Sequence, residues 1–310
     1  MNLGEAVERI RFSTATADDI TGRSANTQFP NNVILQQLKF ALDEFAKRTK
    51  CIEDIMSQPV STEQNFIDYP TLALRTKGIK GVIYFLNTLR YQLSVQNIAN
   101  TYNNYPINNT SGVPACVLPY GSGREQKLEI FPRPQQGAND TTLSETYTKG
   151  DSNISLVNGA GFLLYKGRIT IGTTKFEYVR MTANVLYDVR VVEQTEDETY
   201  GVGEVVKTNN MWIYYARLHV PFATNVKDIT DMIDLEIEIP EEYMEAITDY
   251  TAYKLLLKIS PERAEAYRMD WDTLVDDAEY AIANGRGIER RSGSKREASS
   301  WESGLVGDLL

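Results

Sequence analysis

The stretch IPEEYMEAITDYTAYKLLLKISPERAEAYRMDWDTLVDDAEYAIANG, residues 239–285, decides how the chain is read. Pro240 is a good first-turn residue, and Glu241 and Glu242 sit where a helix dipole favours negative charge. Tyr243, Ile247, Tyr250, Tyr253 and Leu257 then recur at steps of three and four, which predicts a helix. A second start follows at Ser260-Pro261-Glu262-Arg263, a capping residue and then a proline. Ala264, Tyr267, Trp271, Leu274, Ala278 and Ala281 carry its stripe, and Gly285 closes it. Upstream, Asn31-Asn32 can cap a helix whose stripe is Ile34, Leu35, Leu38, Ala41, Leu42 and Phe45, ending near Thr49. A shorter helix is expected over residues 5–12. The simplest packing is a three-helix core built on Leu38, Leu42, Phe45, Tyr243, Ile247, Tyr250, Tyr267, Trp271 and Leu274.

Between these helices the chain turns to β patterns. From about residue 53 to 153, runs such as Gly81-Val82-Ile83-Tyr84-Phe85 and Lys127-Leu128-Glu129-Ile130-Phe131 lie among Pro70, Pro106, Pro114, Pro119, Pro132 and Pro134. That predicts a small antiparallel sheet with long connections. From about 158 to 221 the alternation strengthens, in Arg168-Ile169-Thr170-Ile171, Lys175-Phe176-Glu177-Tyr178-Val179 and Leu186-Tyr187-Asp188-Val189-Arg190. Residues 211–220 predict one more strand. The expected fold class is α+β: a helical core with a small antiparallel sheet from residues 1–155 and 222–284, and an inserted all-β domain at 156–221. A flexible C-terminal tail is expected at 285–310.

Composition narrows the function. The 310 residues carry a formal net charge of −10, so no general attraction to nucleic acid or to an anionic membrane is expected. No apolar run approaches the ~20 residues that span a bilayer. The first residues show no basic-then-apolar leader, so no secretory signal is expected. Cys51 and Cys116 fit no motif, which points to synthesis in a reducing cytoplasm. Eighteen tyrosines suit protein–protein contacts, and equally suit a β-rich chain.

Catalytic motifs are missing from the sequence. His219 is the single histidine, so no Ser-His-Asp, Cys-His or multi-histidine metal set can be built. A structural or surface role is expected for it. Glu193, Glu196, Asp197 and Glu198 read as a solvated turn. Asp228, Asp231 and Asp234 lack the calcium-loop pattern. Gly121-Ser122-Gly123-Arg124 and Gly159-Ala160-Gly161 read as turns, not phosphate cradles. No cofactor, no metal site and no catalytic residue is expected. A carboxylate pair of the glycosidase kind stays open.

The order of parts then becomes informative. The helix with Leu38, Ala41, Leu42, Phe45 and Ala46 precedes Ile130-Phe131-Pro132-Arg133-Pro134, and then Ile239-Pro240-Glu241-Glu242-Tyr243 and the closing helices. This resembles the head-to-tail adaptor, or connector, proteins of tailed bacteriophages, especially short-tailed ones, over most of residues 25–155 and 225–285. The insert resembles a second phage module through Gly167-Arg168-Ile169-Thr170-Ile171-Gly172, Tyr178, Arg190, Thr195, Gly203 and Val206. Val191 departs from the usual Gly and Tyr200 from the usual His.

The resemblance implies a structural virion protein rather than an enzyme. It would form a ring of about a dozen copies under the portal protein, bind a tail or nozzle protein next, and pass DNA through the lumen without reading its sequence. Synthesis in the host cytoplasm and residence at the head–tail connector follow. A portal-docking tail is expected from Arg286, Arg290, Arg291, Lys295 and Arg296, followed by Trp301, Leu305, Leu309 and Leu310. Within 286–296 the five cations face Glu289 alone, a local charge of about +4. The alternatives are a tail-tube or nozzle component, which the two closing helices argue against, and a carbohydrate-active virion enzyme with a carboxylate pair.

Overall fold

A computed structural model describes residues 1–15, 29–74, 78–96, 111–121, 126–193, 199–224 and 234–283. The expected tail at 285–310 lies outside them. Four helices are described: α1 (Leu3–Thr14), α2 (Asn31–Thr49), α3 (Met244–Leu256) and α4 (Pro261–Ala283). The strands are β1 (Glu53–Gln58), β2 (Phe66–Asp68), β3 (Ile79–Leu86), β4 (Leu89–Val95), β5 (Ser111–Gly112), β6 (Cys116–Tyr120), β7 (Lys127–Phe131) and β8 (Arg133–Pro134). They continue with β9 (Asp140–Thr142), β10 (Asn153–Ser155), β11 (Tyr165–Ile171), β12 (Thr174–Thr182), β13 (Val185–Tyr187), β14 (Arg190–Glu193), β15 (Val205–Thr208) and β16 (Met211–Ala216).

This corrects the expected fold class. The chain is mostly β, with three sheets and four helices among the described residues, and not a helical core with a small sheet. The strands were undercounted for a physical reason. Many are only two or three residues long, too short for alternation to register.

The chain divides into two compact units, Met1–Glu53 with Arg217–Leu310, and Asp54–Ala216. These limits differ from the sequence-based expectation of boundaries at 155/156 and 221/222. In the first unit a capping box opens α1. Asn2 Oδ1 accepts from the Glu5 N–H (2.8 Å), and Glu5 Oε2 accepts from the Asn2 N–H (3.1 Å). α2 starts directly after Pro30 without a side-chain cap. Asn31, expected to cap it, instead accepts from the Arg11 guanidinium. Lys50, at φ 54° in the left-handed region, ends the helix. The helix expected at Pro240 begins as a single tight turn, Glu241–Tyr243, before α3. α1 joins the bundle, so the core holds four helices rather than three.

The second unit holds all three sheets. The first runs β1-β16-β3-β4-β6-β7-β2 and buries Val82, Tyr84, Leu93, Val117, Leu128 and Ile213. The second runs β10-β13-β12-β11-β15-β9, with β14 also on β12, around Leu143, Phe162, Ile169, Phe176, Tyr178 and Val206. β5 and β8 form a short parallel pair. Two glycines in the run 167–172 have a steric role. A Cβ on Gly167 would meet the Tyr178 hydroxyl at 2.1 Å, and Gly172 turns the β11–β12 hairpin at φ +57°. Tyr200, found where His was usual, is buried and its hydroxyl donates to Thr174 Oγ1 (2.7 Å).

Three strand assignments change. The run 186–190 breaks at Asp188, φ 55°, into β13 and β14. β16 stops at Ala216, short of Val220, and pairs with β3 in the first sheet. β9 and β10, expected in the core's small sheet, belong to the second sheet.

Candidate functional site

Chemistry is sparse among the described residues. His219 is buried beside Phe222. Its Nε2 accepts from the Glu238 N–H (3.2 Å), so the proton sits on Nδ1, which donates to Val220 O (2.7 Å). Both ring nitrogens are thereby used inside a corner that Arg217 closes by a forked pair with Glu238 (2.6 and 2.8 Å). Burial acts to raise the Glu238 carboxyl, but Arg217 and the Val220 N–H outweigh it and hold it below its ordinary value. Cys116 is buried in β6, and burial pushes its thiol up, away from nucleophilic use. No group of three or more His, Cys, Asp or Glu side chains is close enough to hold a metal ion among the described residues. Of the two acidic clusters, Asp228, Asp231, Glu196, Asp197 and Glu198 lie outside the described residues, as do Ser122, Gly123 and Arg124.

The nine core residues come together in one cluster. Leu38, Leu42, Phe45, Ile247 and Trp271 are buried, and Tyr243, Tyr250, Tyr267 and Leu274 pack against them. Trp271 is the hub: its ring lies 4.5 Å from Tyr250 and 5.9 Å from Phe45. Tyr253 and Leu257 lie off the buried face of α3, which is Met244, Ala246, Ile247, Thr248, Thr251, Ala252, Leu255 and Leu256. Arg286, Arg290, Arg291, Lys295, Arg296, Trp301, Leu305, Leu309 and Leu310 lie outside the described residues.

Two arrangements in the helical unit escaped the sequence reading. Arg48 clasps α2 to α4 through Glu279 (3.0 Å), Asp276 (2.7 Å) and Asp272 (3.5 Å). The second is a cleft of about 650 Å³, to which α1 contributes Glu8, Arg9, Phe12 and Ser13, and α3 contributes Glu245, Thr248 and Asp249. At its rim, α4 ties down the end of α1. Tyr267 donates to Ser13 O (2.8 Å), and Arg263 donates to the Ser13 and Ala15 carbonyls (3.1 and 3.3 Å). Asp249 is half-buried. Burial first, then Glu245 and Asp270, push its carboxyl up to about 7. Phe12 leaves 72% of its surface in solvent. The cleft can release a proton near neutrality, or take a cation beside an apolar ring. Glu245 and Asp249, four apart on one helix, were the signal available in the sequence.

In the second unit a partly buried polar cluster ties strands together. Arg168 donates to Glu177 (2.9 Å) and to Ile55 O (2.8 Å) and lies over the Trp212 ring. Asn209 accepts from Thr170 (2.7 Å) and donates to Ser57 (3.1 Å). These bonds tie β11 to β1 and to the start of β16.

No protein-family model matches the chain, and no curated protein matches it. No helix among the described residues is long and apolar enough to cross a membrane.

Proposed function

We propose that this chain is a structural virion protein, a head-to-tail adaptor that forms a ring of about a dozen copies beneath a phage portal. One observation carries the reading: the described segments on either side of Asp54–Ala216 build one helical unit, and the residues between them are an excursion from it. The excursion leaves and returns at one point, where the Arg217 N–H donates to Ile52 O (2.9 Å). The residues that carry the resemblance support the reading. Leu38, Ala41, Leu42 and Phe45 are the buried stripe of α2, and Ile239-Pro240 leads into α3.

The net charge of −10 suits a lumen that DNA slides through, since a negative wall does not grip phosphates. The ring partners would be the portal above and a tail or nozzle protein below, with Trp301, Leu305, Leu309 and Leu310 reaching the portal. The protein would be made in the host cytoplasm and reside in the virion.

Native mass spectrometry of the full-length chain with the portal of the same virion tests the proposal. A complex of about twelve copies is expected. Deletion of 286–310 should leave the helical signal and melting unchanged and remove portal binding. A chain that stays monomeric with portal present would refute the proposal.

A further inference from the structure

This inference rests on the ring reading and concerns how neighbouring copies grip one another. The α1–α3 cleft offers three carboxylates, Glu8, Glu245 and Asp249, against Arg9 in its lining and Arg263 at its rim, which is engaged with the Ser13 and Ala15 carbonyls, and Asp270 of α4 adds to the negative field at Asp249. The exposed Phe12 ring forms its apolar side. A socket of this kind fits a long cationic side chain, whose stem can lie across an aromatic face while its head meets carboxylates.

The chain itself contains a matching segment. In a protein of net charge −10, residues 286–296 carry Arg286, Arg290, Arg291, Lys295 and Arg296 against Glu289. They follow closely on Ala283, the end of α4. The cleft stands by the opposite end of α4, where Arg263 and Tyr267 reach Ser13. The 23 residues of α4 separate the two by roughly 34 Å. A donor at one end and an acceptor at the other give a head-to-tail contact, the kind that closes rings.

We infer that the α1–α3 cleft is the socket for the basic segment 286–296 of the neighbouring copy, with an Arg or Lys entering beside Glu245 and Asp249 and its stem across Phe12. The apolar end from Trp301 onward is left for the portal. Asp249 ionises as the cation enters, so the grip tightens as pH rises through neutrality and loosens with salt.

The test uses the full-length chain. Light and heavy-isotope copies, each with photoreactive benzoylphenylalanine in place of the exposed Phe12, are mixed with portal, irradiated and mapped by mass spectrometry. Peptides from 286–296 joined to position 12 across light–heavy pairs are expected. Glu245→Lys, at an exposed position, should cut that yield by about tenfold or more without changing the far-ultraviolet circular dichroism. Links only within one copy, links to other segments or to portal alone, or a yield unchanged by Glu245→Lys would overturn the socket. Native mass spectrometry of the unsubstituted chain with portal, run in parallel, tells the two failures apart. A complete ring without the cross-link sinks the socket alone, and no ring sinks the adaptor reading as well.

Discussion

Asp249→Asn should stabilise the helical unit near neutral pH and leave it unchanged in acid. In the unfolded chain this carboxyl ionises near its ordinary 3.8, whereas burial, then Glu245 and Asp270, push it up to about 7 in the folded chain. Between those values the folded protein holds a proton that the unfolded chain has released. Stability therefore falls as pH rises through that window and levels off above it. At ~1.36 kcal/mol for each tenfold change in proton affinity, the full rise corresponds to ~4 kcal/mol. The carboxyl is half-buried, and solvent screening reduces the expected effect to about 2 kcal/mol. Asparagine keeps the shape and cannot ionise. Urea unfolding of dilute protein followed at 222 nm is the assay, because α1 to α4 all belong to one unit. The variant and parent curves should coincide below about pH 3 and separate by about 2 kcal/mol near about pH 8. A variant less stable at the higher pH, or a difference independent of pH, would refute the account of Asp249.

Trp271→Ala should cost the helical unit about 3–5 kcal/mol, since it empties the hub between Tyr250 and Phe45. A loss under about 1 kcal/mol in the same urea assay would contradict that packing. A fragment of residues 139–209 should fold alone, because the Asn139 and Thr208 backbones pair at its ends (2.8 Å) and enclose the second sheet and its core. Residues 156–221 should not fold alone, since they omit β9 and β10 and carry β16; cooperative melting of that fragment instead would show the division to be wrong. Gly167→Ala should destabilise the 139–209 fragment by about 1–3 kcal/mol, as its methyl collides with the Tyr178 hydroxyl. An unchanged melting temperature would show that Tyr178 can move aside.

The stripes of α2 and α4 were legible because each buries one face, so their apolar residues recur at a helical step. α3 was found but its buried face was misread. Ala246, Thr248, Thr251 and Ala252 are buried there, and small or hydroxylated residues do not announce themselves, while its tyrosines mark the margin. β16 is buried along nearly its whole length, so alternation could not assign it to a sheet. β9 and β10 are three-residue strands defined by their partners, not by pattern. For the cleft, the like charges Glu245 and Asp249 stand four apart in the sequence. Their significance depends on Phe12 of α1 and Asp270 of α4, which only the folded bundle brings near.

The proposed role of this chain is as a ring component of the head–tail connector. An asymmetric cryo-electron microscopy reconstruction of the purified virion at that junction tests it most directly. A ring of about a dozen copies directly beneath the portal is expected, its four-helix unit traceable through α1 to α4 and the basic segment of each copy lying in the α1–α3 cleft of the next. Density at the junction that is fitted completely by other proteins, with no copy of this chain in the ring, would contradict it.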